Sequence, residues 1–412
     1  MAGYIALLAL SLIVLSSPIG ARQLEDAPLD SPTALLGDYV PPRGSWASRA
    51  PKDAGFHPER LAAAVAFTKT CASKTPRDLA DFIRASFGHE PMSGIVGPTK
   101  MRALANGMIV RGGYIVAEWG DTHEVDMTFS VTKTYLSTAV ALAAASGYMN
   151  LDDPVRLAVP TEHFAGERHG RITWDHLLRQ TSDWRGTLFG KPAWADRPPR
   201  GASVEEAMAV PEREPGSSWE YNDVCVNLLA YAALEVWREP LPAVLRREVM
   251  DPIGASRTWR WHGYSTSWVN VEGVQVQSVS GGGHHGGGMF ISTRDQARFG
   301  LLCLRGGMWG DRRVLPAGLI EAARTPTPVK PDYGYMNWFL NTSGVDAEGA
   351  PTRPWPAAPE SAVMFRGAGA NIVYVDVEND LVMCLRWIDH RRMNEVVEQV
   401  LGALEEPPSG SK

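Results

Sequence analysis

Residues 361–389 read "SAVMFRGAGANIVYVDVENDLVMCLRWID", a run in which apolar and β-branched side chains dominate. The pattern predicts two apolar strands joined by a turn at "VEND". Strands of this kind need partners, and the nearest equivalent lies far upstream. Residues 106–121, "NGMIVRGGYIVAEWGD", read as a β-hairpin in which two β-rich runs flank Arg111, Gly112 and Gly113. Between these ends the chain is mostly helical in pattern. "VTKTYLSTAVALAAASGYMN" is Ala- and Leu-rich, closes at Gly147 and predicts a buried helix. Further helices are expected in "HPERLAAAVAFTKTCA", "TWDHLLRQTS", "DVCVNLLAYAALEVW" and, at the end, "NEVVEQVLGALEE". Strand character also appears at "VNVEGVQVQSVS", and Pro/Gly-rich loops such as "FGKPAWADRPPRGAS" separate the elements. Strands at both ends of the chain suit one antiparallel sheet with the middle inserted as a helical lobe, an α+β class. The expected division is a sheet lobe at about 51–125 and 285–405 and a helical lobe at about 126–284. A cleft between such lobes is a usual place for a site.

The length of 412 residues allows two lobes around a substantial core, and 44% hydrophobic with 21% charged residues is the balance of a globular protein. A net charge of -6 gives no reason to expect nucleic acid as a partner. The first residues, "MAGYIALLALSLIVLSSPIGA", hold an apolar run from Ile5 to Ile19, ended by Pro18 and the small residues Gly20 and Ala21. That predicts a signal peptide (1–21) cleaved after Ala21, and a periplasmic or extracellular protein with no stable membrane span. The run falls short of the roughly 20 apolar residues of a spanning helix. No Lys or Arg precedes it, which keeps an uncleaved N-terminal anchor as the alternative. Residues 22–50 read as a loose linker and 406–412 as a disordered tail. Cys71, Cys225, Cys303 and Cys384 are scattered without metal spacing, and the last three sit in apolar stretches, so free buried thiols are expected ahead of disulfides.

Ser130 and Lys133 stand three residues apart in "FSVTK". The spacing alone is cheap, since the tail "SGSK" repeats it with Ser409 and Lys412. Position gives it weight. On a helix the two side chains share one face a turn apart. Ser130 also falls at the expected helix start, where free N–H groups and the positive end of the dipole favour a developing oxyanion. A lysine in so apolar a helix is either exposed at its first turn or buried for a purpose, and a buried amine can serve a serine as base.

Together with two further segments, this one resembles a known family. "FSVTK", "PGSSWEYNDVCVNLL" and "GGGMFISTRDQARFGLLCLRGG" follow in order the Ser-x-x-Lys, Tyr-x-Asn and Gly-Gly-…-Ser-Thr motifs of the serine β-lactamase and penicillin-binding-protein superfamily. The likeness is to the class C branch, which includes esterases, D-aminopeptidases and nylon-oligomer hydrolases. "RITWDHLLRQTSDW" and "VMDPIGASRTWRW" resemble two more of its segments, so the likeness spans roughly residues 50–405. It implies a β-lactamase/transpeptidase-like fold and no cofactor. Ser130 would be the acylated nucleophile, with Lys133 and Tyr221 as its proton-transfer groups. Three departures stand out. Asp223 occupies the place of the motif's Asn, where it either pairs with Lys133 and holds the lysine charged or turns outward. The Lys-Thr-Gly strand is replaced by "FRGAG", where Arg366 is expected to supply a cation and Gly369 an oxyanion N–H. His284 and His285 interrupt a glycine loop, where both read either as solvated or as edging the cleft. Trp184 in "TSDW" and the aromatics of "YGYMNWFLN" are expected to wall the pocket.

"GGGHHG" also fits G-x-G-x-x-G from Gly281 to Gly286, but no helix follows directly and no βαβ unit surrounds it. No H-E-x-x-H and no G-x-S-x-G occurs, and two histidines are too few for a metal site, so no metal is expected. The sequence therefore predicts a serine hydrolase of the esterase or amidase kind acting on a small-molecule or peptide substrate. β-Lactamase or D-Ala peptidase activity is one alternative, and a non-catalytic binding protein on the same scaffold is another.

Overall fold

The computed structural model describes residues 39–342 and 352–405. The predicted signal peptide, residues 22–38 of the predicted linker and the predicted tail lie outside them.

The hairpin and the C-terminal strands form one antiparallel sheet of six. Its order is Trp338–Phe339, Val363–Gly367, Asn371–Asp376, Leu381–Arg386, Asn106–Arg111 and Tyr114–Trp119. The hairpin joins the C-terminal strands inside it, where Asn106 opposes Arg386 and Met108 opposes Cys384. Residues alternate strictly between faces, as a pleated strand requires. Met108, Val110, Val373, Val375, Val382 and Cys384 join the main core. Ile109, Ile372, Tyr374, Leu381, Met383 and Leu385 join a second core under the helices Pro58–Thr70 and Met393–Leu401. Both faces are thus covered, which explains the near-absence of polar breaks. On the inner face the helix Thr293–Leu304 lies so close that a Cβ on Gly300 would stand 2.7 Å from Val373.

The C-terminal run holds three strands, not the two expected. The additional turn is Gly369–Ala370, both in the left-handed region at φ 74° and 52°. The linker reading also needs correction. Among described residues, 39–50 are tied down: Arg49 N–H donates to Ile115 O at 2.9 Å, and Trp46 Nε1 to Gly113 O at 2.7 Å. All four cysteines are free, three buried and Cys303 partly so.

A second antiparallel sheet, ordered Asp126–Met127, Gly288–Ile291, Arg260–Val271 and Val274–Val279, leads into the helical lobe. There the helix Thr132–Ala145 is almost wholly buried and packs on the helix Asp223–Trp237. Arg386, fully buried, ties the two sheets together by donating to Ile291 O at 2.6 Å and Met127 O at 2.7 Å. Met127 stands three residues before Ser130, so this clamp fixes the strand that delivers the serine.

Candidate active site

Ser130 sits in a 3-10 turn, Phe129–Val131, that feeds directly into the helix Thr132–Ala145. Phe129 holds φ 50°, a left-handed conformation costly for a bulky residue. Lys133, one turn on, donates from Nζ to Ser130 Oγ at 2.9 Å. The lysine is not at an exposed first turn; it is 1% exposed, and its Nζ also donates to Oδ1 of Asp223, itself 2% exposed.

Asp223 opens its helix, capped by Asn222, whose side chain accepts from Val224 N at 3.0 Å and Cys225 N at 3.1 Å. The residue that departs from the family motif is therefore in the site. Its other oxygen, Oδ2, accepts from Arg197 Nη2 at 2.6 Å. Arg197 continues the network through Nη1 to Asp196 and stands 3.0 Å from His284 Nδ1. His284 Nε2 lies 2.7 Å from Glu90 Oε2. Five segments of chain meet here in a half-buried to buried ionic chain, which only mutual pairing makes tolerable. Burial opposes charge on Asp223, but Lys133 and Arg197 outweigh it and hold its carboxyl well below the usual range. Glu90 behaves alike: burial pushes it up, and the hydrogen bond and charge of His284 with Arg197 bring it below its ordinary value. Burial dominates at Asp196, which is pushed up despite Arg197. Donor atoms of Glu90, Asp196 and His284 lie within 4.8 Å of one another, a ligand-like trio. The Arg197 guanidinium already holds Asp196 and His284 Nδ1, so the chain itself supplies the cation there.

Tyr221 stands across from Lys133, its ring centre 4.8 Å from Lys133 Nζ and 5.0 Å from Arg197 Cζ. Its segment is held by Gln180, which accepts from Asn222 N–H at 2.8 Å through Oε1 and donates to Tyr333 Oη at 2.6 Å. Tyr221, Trp219, Tyr333 and Trp338 form a cluster of rings with centres 4.9–6.1 Å apart. Arg366 is exposed and rests its guanidinium 5.4 Å from the Trp338 ring, at the rim of that wall.

Of the residues expected in the site, Ser130, Lys133, Tyr221 and Asp223 come together, with Arg366 at the edge. Three do not. Gly369 packs under Trp387, whose ring a Cβ there would strike; the glycine beside the serine is Gly367, where a Cβ would strike Thr128 O and stand 3.2 Å from Ser130 N. Trp184 is core, 2% exposed, with Nε1 donating to His163 O at 2.8 Å. His285 is buried, not solvated, and its ring faces Tyr264 at 6.0 Å. Burial, with the charges of His284 and Lys191, pushes it down to about 3. His284, read as solvated, is 1% exposed and belongs to the ionic chain.

Glu90, Asp196 and Arg197 were not foreseen. Gly282 is a further one: a Cβ there would strike Asp223 Oδ1 and Lys133 Nζ, so the glycine loop is shaped around the ion pair.

The sequence model of the Beta-lactamase family matches residues 100–385. A curated relative, a Bacillus subtilis (strain 168) protein with the provisional name penicillin-binding protein PbpX, is 26% identical over 182 residues, covering 41% of this chain and 44% of that protein. The chain thus spans less than half the length of that relative. Among solved structures, the hydrolase EstCE1, described as having promiscuous acyltransferase activity, superposes with a TM-score of 0.53 at 17% identity, over 84% of this chain and 99% of that one. A penicillin-binding-protein homolog from Caulobacter crescentus gives 0.52 at 15% identity, over 85% and 99%. These two likenesses show the fold.

Proposed function

The chain belongs to the Beta-lactamase family, and from that premise we propose that it is a serine hydrolase opening an ester or amide through an acyl-enzyme on Ser130. The observation that carries this reading is the 2.9 Å hydrogen bond between Lys133 Nζ and Ser130 Oγ, with the Tyr221 ring 4.8 Å from the same Nζ. With Lys133 as the neutral amine, still donating to Asp223, Ser130 Oγ attacks the carbonyl carbon and gives up its proton to the Lys133–Tyr221 pair. The carbonyl oxygen takes up negative charge against the Ser130 N–H and the peptide N–H that follows Gly367. The C–O or C–N bond then breaks and the leaving alcohol or amine takes the proton. Water attacks the acyl-serine in the reverse sense, releasing the acid and restoring the hydroxyl.

The substrate is a small molecule or a peptide. The ring wall of Trp219, Tyr221, Tyr333 and Trp338 supports a flat or apolar group beside the scissile bond. A second reading, β-lactam or D-Ala peptide substrates, is favoured by one observation. Arg366 has no ion pair among the described residues and offers its guanidinium to a substrate carboxylate. It ranks second because the Lys-Thr-Gly strand is absent. A non-catalytic binding role ranks third, since such a role has no need of Ser130, Lys133 and Tyr221 in register. Export is part of the proposal and rests on the N-terminal apolar run; no helix among the described residues is long and apolar enough to cross a membrane. A fluorophosphonate probe and p-nitrophenyl esters test the reading. Labelling and turnover that vanish in Ser130→Ala support it, and neither in the wild type rejects it.

A further inference from the structure

Asp223 replaces the motif's neutral Asn with a charge, and it does so 2% exposed, beside the nucleophile's lysine. A carboxylate with both oxygens free would draw Lys133 Nζ into a two-point contact and away from Ser130. Here only Oδ1 faces Lys133. Oδ2 is taken by Arg197 Nη2 at 2.6 Å and lies 3.6 Å from His284 Nδ1. Arg197 is in turn fixed by Asp196 through Nη1, and its backbone N–H donates to Glu90 Oε2 at 3.3 Å. Asp196 also accepts from the backbone N–H of Asp223 at 2.5 Å, so the acid and its arginine are tied to one frame. The Phe87 ring packs at a tilt on His284, centres 4.1 Å apart, and closes the far side. Arg197 comes from the Pro/Gly-rich loop before the tyrosine motif and itself holds φ 50°, a conformation kept only where the surroundings demand it.

We infer that Arg197 is a positioning residue: it occupies Oδ2 of Asp223, leaves Oδ1 alone to Lys133, and so keeps the lysine on Ser130 Oγ. Asp223, the departure from the family motif, and Arg197 then form one pair, each tolerable only with the other. Asn at 223 alone leaves Lys133 and Arg197 as two close cations without their shared anion. A neutral residue at 197 alone leaves Oδ2 free to capture the lysine. The groups facing Arg197 are Asp223, Asp196, Glu90, His284 and Tyr221, with Lys133 across the carboxylate and His285 behind His284.

The inference rests on the serine-hydrolase reading and is tested by a double-mutant cycle of Asp223→Asn and Arg197→Gln on an ester that the wild type turns over. Each single variant is expected to lose about 100-fold in kcat, the scale of an ångström of misplacement at a reacting group. The double variant is expected to recover about tenfold over Asp223→Asn, because the charge balance is restored. The acid limb of kcat/KM moves in opposite directions: to higher pH in Arg197→Gln, where a cation is lost, and to lower pH in Asp223→Asn, where an anion is lost. A role confined to holding the fold moves the melting temperature but not the limb. Arg197→Lys, which keeps the charge, is expected to fold and to retain more kcat than Arg197→Gln. Wild-type kcat and an unmoved limb in the single variants, or purely additive losses in the cycle, overturn the inference and leave the hydrolase reading standing. A wild type that never acylates overturns both.

Discussion

Lys133 and Asp223 pair across ninety positions of sequence, at 1% and 2% exposure, with the lysine's second hydrogen bond on Ser130 Oγ. The ion pair and the nucleophile are therefore one unit, and whatever disturbs the first is felt at the second.

Lys133→Met removes the cation and leaves Asp223 buried with Arg197 as its principal partner. Turnover is expected to fall by about 1000-fold or more, since the serine loses its proton partner. Breaking one side of a buried pair typically costs about 3–5 kcal/mol, and the remaining arginine places the loss at the lower end. Ester kinetics and urea unfolding of the same preparation check both.

Gly367 and Gly369 separate the two assignments of the oxyanion strand. Gly367→Ala pushes against Thr128 O and Ser130 N, and kcat is expected to drop about 100-fold. Gly369→Ala meets the Trp387 ring at φ 74° and is expected to lose about 1–3 kcal/mol of stability while keeping kcat per folded molecule. The reverse pattern restores Gly369 to the site.

Trp338 and Trp184 differ in kind. Trp338→Ala opens the ring wall and is expected to raise KM for aryl esters about tenfold, with a smaller effect on short alkyl esters. Trp184→Ala empties the core and is expected to cost about 3–5 kcal/mol with KM unchanged in the folded fraction.

Glu90 carries a pH signature. Its carboxyl is depressed in the folded protein, so its stabilisation is fully present above the unfolded value of about 4.3 and is lost as pH falls through the lower folded value. The gap in urea midpoint between wild type and Glu90→Gln is therefore expected to be widest at neutral pH and to close under acid. A gap that widens on acidification contradicts the sign.

Sequence carried the fold where periodicity is local. The hairpin turn, the apolar helix after Ser130 and the tyrosine segment all declare themselves within a few residues. It failed where one pattern has two meanings. "FRGAGAN" merges turn and strand into a single apolar run, and the glycine nearest the expected motif position, Gly369, is the turn. Trp184 and Trp338 look alike in composition, and only burial separates a core ring from a wall. The ionic chain was hidden for another reason. Arg197 reaches Asp223 over 26 residues and His284 reaches Glu90 over 194, from loops with no period to read. The one sign available was Asp223 itself, an acid where the motif is neutral, which asks for a cation that nothing nearby in sequence provides.

Intact-mass analysis with peptide mapping, after exposure to esters, D-amino-acid amides and β-lactams, decides whether Ser130 is acylated. A mass gain equal to the acyl group is expected, located on Ser130, absent in Ser130→Ala and cleared by water over time. No adduct across the panel, or an adduct on another residue that survives Ser130→Ala, contradicts it.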